Sequence, residues 1–220
     1  EDYKGTNLYT QEQLDVIKDN ILSTKAYLEA RGIEFILMIP SNKEDIYSAQ
    51  LPDYIRKRGE LTRAEQVINY LREETGVLLR ELGVEIADVE DLTISQNDFS
   101  GYDLANMMNL KNYYKKNKPA EVSYDVTGYA TNNLSVIQAI DATELIYQSE
   151  APDPRRLFLV RDSFAGAMAP VLASNFSYSY MPHWNGCFEQ SMIDEQQPDI
   201  FVYEVVERRL DALLTFRLSE

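Results

Sequence analysis

The sequence is poor in the residues that cross-link small domains or bind metals. Its 220 residues include one cysteine, Cys187, and one histidine, His183. A single cysteine excludes an internal disulfide and any zinc site built from several cysteines. One histidine among scattered carboxylates gives no metal-ligand spacing either. We therefore expect no metal and no other cofactor.

Long apolar runs and glycine-rich loops are also missing. No apolar run approaches the roughly 20 residues that a membrane-spanning helix needs. No glycine-rich fingerprint follows the apolar stretch at 33–40, which disfavours a nucleotide-binding Rossmann domain. The chain starts at Glu1 and Asp2, without an initiator Met or a signal peptide, as expected of an exported protein whose leader has been removed.

Acidic residues clearly outnumber basic ones. The sequence has 36 Asp and Glu against 21 Lys and Arg, a formal net charge of -15. Such a field repels nucleic acid and anionic membrane surfaces, so we expect no nucleic-acid partner. A hydrophobic content of 45% with 26% charged residues is an ordinary globular composition. The length fits a single domain spanning residues 1–220.

The first third of the chain alternates helix and strand patterns. Thr10 and Thr62 each open a capping box followed by apolar residues at helical spacing, which predicts helices ending at Gly32 and Gly83. Short apolar stretches follow at 33–40 and 84–89, typical of strands buried on both faces. This alternation predicts a parallel sheet with helical crossovers.

Periodicity fades over about 90–156, which we interpret as an irregular insertion within the single domain. Regular patterns then return as strands at 157–161, 177–181 and 200–206, and helices at 165–173 and 207–218. Five parallel strands with interleaved helices predict an α/β fold, a flavodoxin-like sheet flanked by helices. In such folds ligands bind beyond the carboxyl ends of the strands.

Three polar clusters fall at predicted strand ends: Ser41-Asn42-Lys43, Asp162-Ser163 and His183-Trp184. Ser163 lies where a strand gives way to a helix. Its hydroxyl can therefore act as a nucleophile while free N–H groups at the helix start stabilise an oxyanion. The alternative is that Ser163 or Asp162 simply caps the helix.

A serine nucleophile needs a base, usually a histidine oriented by a carboxylate. His183 follows the next strand, so it reaches the same edge if the two strands are neighbours. The alternative is that His183 and Trp184 form a packed loop. The fifteen tyrosines give weak support to a carbohydrate partner, because tyrosines also fill half-buried sheet surfaces.

Four segments carry a resemblance to a known family. They are F-I-L-M-I-P-S-N-K-E-D-I-Y at 35–47 followed by L-P, N-D-F-S-G-Y-D-L-A-N-M-M at 97–108, L-F-L-V-R-D-S-F at 157–164, and P-D-I-F-V-Y-E-V-V-E-R at 198–208. In this order they resemble SGNH-hydrolase-like proteins of the alginate O-acetyltransferase type (AlgJ/AlgX-like) and their DHHW-motif relatives. The resemblance implies an SGNH-hydrolase fold and assigns the nucleophile to Ser163.

The same resemblance implies a base in an Asp-x-His-Trp segment that precedes the serine. This sequence has no such motif, and the His183-Trp184 pair follows the serine instead. Two explanations are open. Either the protein carries further residues near Val89 that this sequence does not contain, or it lacks the motif and has recruited His183 or lost catalysis.

From the resemblance we expect an O-acetyltransferase or acetylesterase that acts on an extracellular or cell-envelope polysaccharide. The resemblance implies an exported protein, either free or anchored to a membrane, that works with a membrane-bound acyl-transfer partner. Ser163, His183 and Asp162 are the expected catalytic residues, and Asn42 and Lys43 the expected oxyanion or substrate-binding residues. A catalytically degenerate binding module and a small-ester hydrolase are the alternatives.

Overall fold

A computed structural model describes residues 2–40, 42, 56–76, 78–80, 94–96, 122–124, 132–140, 143–163 and 165–220. The chain divides into two compact units. The smaller unit, Glu85–Tyr129, contains an antiparallel pair of strands, β3 (Ile94–Gln96) and β4 (Val122–Tyr124). The larger unit, formed by Glu1–Val84 and Ala130–Glu220, carries the predicted strand ends.

The larger unit is built on one seven-stranded sheet. Its strands are β1 (Glu34–Met38), β2 (Leu78–Arg80), β5 (Ser135–Ile140), β6 (Glu144–Gln148), β7 (Arg156–Val160), β8 (Tyr178–Pro182) and β9 (Ile200–Glu204). The helices are α1 (Gln11–Glu29), α2 (Arg63–Thr75), α3 (Ala165–Ala173), α4 (Ser191–Gln196) and a C-terminal 3₁₀ helix (Glu207–Leu214).

The strand order is β2-β1-β9-β7-β8-β6-β5. The first five strands run parallel to one another, and the last two run antiparallel to their neighbours. The expected α/β class with a parallel core is therefore confirmed. The sheet as a whole is mixed, because β5 and β6 follow each other directly and a short connection can join only antiparallel neighbours.

Helices cover both faces of the sheet, which gives three layers. Side chains of a strand alternate between faces, and β7 shows this clearly. Phe158 and Val160 pack with α1, α2 and the C-terminal helix, whereas Leu157 and Leu159 pack with α3 on the other face. All four side chains are buried, so the strand predicted at 157–161 is present and is buried on both faces.

The second predicted helix is shorter than the sequence pattern indicates. It ends at Thr75 rather than before Gly83, because Gly76 takes a left-handed φ of 57° that an α-helix cannot contain. Leu78–Arg80 then forms β2 beside β1. Tertiary pairing thus overrides the helical spacing of these apolar residues. The predicted strand at 84–89 lies outside the described residues.

Two further interpretations need correction. Strands β5 and β6 lie within the stretch interpreted as irregular, where their pattern is weak because β5 is largely exposed at the sheet edge. The predicted C-terminal α-helix is a 3₁₀ helix, kinked at Arg209, which has a φ of -118°. Within the described part of the chain, no helix is long and apolar enough to cross a membrane.

Candidate functional site

The candidate site lies at the carboxyl ends of the parallel strands β1, β9, β7 and β8, which are neighbours in the sheet. Asn42 follows β1, Glu204 ends β9, Ser163 follows β7 and His183 follows β8. The strand order thus places Asn42, Asp162-Ser163 and His183-Trp184 at the same end of the sheet. Such edges are the usual ligand sites of open α/β sheets.

Ser163 is the exposed member of this group. It lies two residues before α3, so the first free N–H groups of that helix follow it directly. Within the described residues its hydroxyl has no hydrogen-bond partner. Ser163 is therefore accessible to a substrate, beside donors suited to an oxyanion.

Asp162 points inward rather than toward the surface. It is 4% exposed, and its backbone N–H donates to Oε2 of Glu204 at 2.6 Å. Both residues line a small cavity, together with Trp184, Tyr203 and Arg209. Asp162 thus anchors the chain on the buried side, while the next residue, Ser163, faces solvent.

Glu204 is a carboxyl group in an almost dry environment. It is 2% exposed, and its Oε1 has no hydrogen-bond partner among the described residues. The pKa of Glu204 rises from 4.5 to about 8, chiefly through burial and in part through the Asp162 carboxylate. The Asp162 N–H and the Arg161 guanidinium oppose this rise in pKa. Glu204 is therefore largely neutral at pH 7.

Arg161 holds the same turn from the other side. The side chain is 2% exposed. Its Nε donates to the Met181 carbonyl and its Nη1 to the Asp162 carbonyl, both at 3.3 Å. Burial lowers the pKa of this guanidinium, although nearby tyrosine and carboxyl groups raise it. Arg161 and Glu204 together hold residues 161–163, called here the nucleophile turn.

His183 pairs with Arg161 in a parallel bridge between the ends of β8 and β7. Its Nδ1 accepts the backbone N–H of Asn185 at 3.2 Å, which leaves the ring proton on Nε2. No described carboxylate hydrogen-bonds to the ring. Burial and the Arg161 charge lower the pKa of His183, so the ring is neutral at pH 7.

An open groove of about 410 Å³ lies next to the small cavity. Trp184, Tyr203 and Arg209 line both. The Arg209 guanidinium lies over the Trp184 ring, and Phe216 stacks on Tyr203 with ring centroids 3.6 Å apart. The groove combines aromatic faces with arginine donors, a surface suited to a polar ligand.

The predicted oxyanion residues fall near this edge only in part. The backbone N–H of Asn42 donates to Oε2 of Glu207 at 3.0 Å, so this donor is already used. Lys43 lies outside the described residues. Among the described residues, no group of three or more His, Cys, Asp and Glu side chains could hold a metal ion.

Sequence reasoning missed Arg161 and Glu204. Each is a charged residue at the carboxyl end of an apolar strand that is buried on both faces. A charge in that position is almost always paired when buried. The signal was therefore present in the sequence, although only the strand order shows that the two charges approach the same turn.

Comparisons with known proteins bear on the fold. No protein-family model and no curated protein matches the chain. Among solved structures, a DHHW family protein from Eubacterium siraeum matches with a TM-score of 0.61 and 10% identity, over 97% of this chain and 92% of that one. Bacillus cereus PatB1 with a sulfonyl adduct matches with a TM-score of 0.56 and 15% identity, over 97% of both chains.

The O-acetyltransferase domain of Pseudomonas putida AlgJ also aligns, with a TM-score of 0.46 and 14% identity over 96% of this chain and 87% of that one. This likeness is too weak to support an inference. The two stronger matches confirm, at the level of fold, the DHHW-type resemblance seen in the sequence. The TM-scores establish a shared fold, whereas identities of only 10% and 15% leave the activity to be argued from the site.

Proposed function

We propose that this chain is a serine-dependent acyl-transfer enzyme, an O-acetyltransferase or acetylesterase that acts on an extracellular or cell-envelope polysaccharide. One observation carries the proposal. Ser163 is exposed at the end of a central parallel strand and directly before α3, while its neighbour Asp162 is anchored in the protein interior. A nucleophile needs this combination of access and fixed position.

In the proposed reaction Ser163 Oγ attacks the carbonyl carbon of an acetyl ester. The new C–O bond forms as a base takes the hydroxyl proton, and the tetrahedral oxyanion lies against the N–H groups that open α3. The ester C–O bond then breaks, and the departing alkoxide takes the proton back from the base. A sugar hydroxyl or water then attacks the carbonyl carbon of acetyl-Ser163 as the base takes its proton, and Ser163 Oγ leaves with that proton, which yields an acetylated sugar or acetate.

His183 is the proposed base. Its neutral ring is able to accept a proton, but its Nδ1 is engaged by Asn185 and its Nε2 carries the ring proton. To act as base, His183 must release the Asn185 N–H, after which Nδ1 either accepts the Ser163 proton itself or takes the ring proton and frees Nε2. Catalysis by His183 therefore requires a rearrangement of residues 183–185.

The groove beside Trp184 supports a polysaccharide acceptor. Sugars bind to aromatic rings and to planar arginine donors, and residues of both kinds line the groove next to the strand end that carries His183. The PatB1 structure with a sulfonyl adduct adds support for a reactive nucleophile on this fold. Export and a membrane-bound acyl-transfer partner remain part of the proposal.

One observation favours a second candidate, a binding module without catalysis. In this arrangement Nδ1 of His183 serves a local turn, and no described carboxylate orients the ring. These features are typical of a histidine that stabilises a packed loop. Under this candidate, the same groove would bind a polysaccharide or a partner of an acylation system, and Ser163 would be dispensable.

The test is labelling by phenylmethylsulfonyl fluoride, followed by intact mass spectrometry, with hydrolysis of p-nitrophenyl acetate measured in parallel. The variants are Ser163→Ala and the control Ser191→Ala. Ser191 is also exposed, at the first residue of α4, but does not follow a strand. We expect one adduct on the wild type and on Ser191→Ala, and no adduct or hydrolysis with Ser163→Ala.

Adding oligosaccharides then separates transfer from hydrolysis, because transfer yields an acetylated sugar and hydrolysis yields only acetate. A folded wild type that forms no adduct while it still binds polysaccharide would support the binding module. Labelling of Ser163 with neither acetylation of an oligosaccharide nor deacetylation of an acetylated one would support a small-ester hydrolase.

A further inference from the structure

Glu204 is the buried group most closely attached to the candidate nucleophile. Its Oε2 accepts the backbone N–H of Asp162 at 2.6 Å. Asp162 is the residue directly before Ser163. Glu204 and Asp162 are far apart in sequence, so this contact exists only because β9 lies beside β7. It is a tertiary link from the middle of the sheet to the nucleophile turn.

We propose that Glu204 is a positioning residue for Ser163, which fixes the nucleophile turn by accepting the Asp162 N–H. This inference rests on the proposed function of Ser163. Residues 161–163 leave the regular ladder, since β7 ends at Val160 and only the Arg161–His183 bridge extends it. Glu204 therefore supplies a buried acceptor to the Asp162 N–H beyond the end of β7, and a buried hydrogen bond of this kind is costly to remove.

The charge state of Glu204 should matter to this turn. The groups that face it are Asp162 and Arg161 from the end of β7, Tyr203 from its own strand and Arg209 from the C-terminal helix. Burial raises the pKa of Glu204 to about 8. Below that pH a neutral carboxyl faces Asp162, and above it two carboxylates face each other in a dry cavity and repel.

Two variants separate hydrogen bonding from charge. Glu204→Gln keeps an oxygen that can accept the Asp162 N–H but removes the ionisation. Glu204→Leu removes the acceptor. Leu28→Ala is the control for lost stability. Leu28 is fully buried near the end of α1, shortly before β1 begins, and therefore lies far along the chain from the nucleophile turn.

The measured quantity is the second-order rate of Ser163 labelling by phenylmethylsulfonyl fluoride, from pH 6 to 9.5, on protein shown to be folded by circular dichroism. For Glu204→Leu we expect a rate about 10²-fold below wild type, the size of loss that a misplaced reactive group causes. Glu204→Gln should label at close to the wild-type rate at pH 7. Its rate relative to wild type should then rise above about pH 8, where Glu204 ionises. Leu28→Ala should follow the wild-type profile throughout.

The outcomes distinguish the two proposals. If wild-type Ser163 is not labelled, the proposed function fails, and with it the role of Glu204. If Ser163 is labelled in the wild type but both Glu204 variants keep its rate and pH profile, only the positioning role is overturned. A rate lowered equally in Glu204→Gln, Glu204→Leu and Leu28→Ala would reduce Glu204 to a structural residue.

Discussion

Replacement of Glu204 by glutamine should change how the stability of the protein depends on pH. Burial raises the pKa of this carboxyl from 4.5 to about 8 in the folded state. Between these two values the unfolded chain releases a proton that the folded chain keeps. The free energy of unfolding therefore falls as pH rises from about 4.5 to about 8, and this contribution is constant above that.

The size of the effect follows from the shift in pKa. One pK unit corresponds to about 1.4 kcal/mol, so Glu204 should cost the folded state on the order of 4 kcal/mol between pH 5 and pH 8.5. Glutamine cannot ionise and avoids this loss. Relative to wild type, Glu204→Gln should therefore gain stability of that order across the same interval, whatever its stability at pH 5.

Urea unfolding at half-unit steps from pH 5 to 9, followed by far-ultraviolet circular dichroism, measures this difference. Contributions of other titrating groups are common to both proteins and cancel. Asp162→Asn is the second variant, because it removes the carboxylate that raises the pKa of Glu204. By lowering that pKa, it should make the loss of stability smaller and end it at a lower pH. Parallel curves for wild type and Glu204→Gln would refute the reasoning.

Three further predictions concern the scaffold. Phe158→Ala should destabilise the protein by about 3 to 5 kcal/mol in urea unfolding, because Phe158 is fully buried with the Tyr180 ring 5.1 Å away; Phe158→Leu should cost much less. Gly76→Ala should lower the free energy of unfolding by about 1 kcal/mol, because Gly76 has a left-handed φ of 57°. Gly166→Ala should not destabilise the protein, because Gly166 lies within α3 and no atom is near a Cβ added there. Thr62→Ala should lower the free energy of unfolding by about 1 kcal/mol because it removes the N-cap of α2, whereas Thr62→Ser keeps a capping hydroxyl and should unfold like the wild type. Thermal melts compare the two variants at each position, and equal melting temperatures within a pair would contradict the expectation for that position.

Local sequence patterns were sufficient to predict much of the secondary structure of the larger unit. Capping boxes at Thr10 and Thr62 predicted both helix starts, and both are present with reciprocal hydrogen bonds. The predicted helix at 165–173 is α3. These features involve residues close in sequence, so their energetics are already fixed by neighbours along the chain. The end of α2 was also encoded, at Gly76, but the helical spacing beyond it concealed the signal.

The site was predictable only as separate pieces. The sequence placed Ser163 and His183 after apolar strands, and both occupy the carboxyl edge of the sheet. It could not show that Nδ1 of His183 would accept the Asn185 N–H. That contact depends on the conformation of the turn after β8, which no periodicity describes.

What the sequence by itself determined is the set of buried strands, the starts of the helices and the identity of the residues at strand ends. Tertiary structure alone decided which strand ends meet. Because β9 lies between β1 and β7, Glu204 reaches the Asp162 N–H and Glu207 reaches Asn42. Strand order is set by packing of the whole sheet, so contacts between residues this far apart in the chain are decided only when the layers assemble.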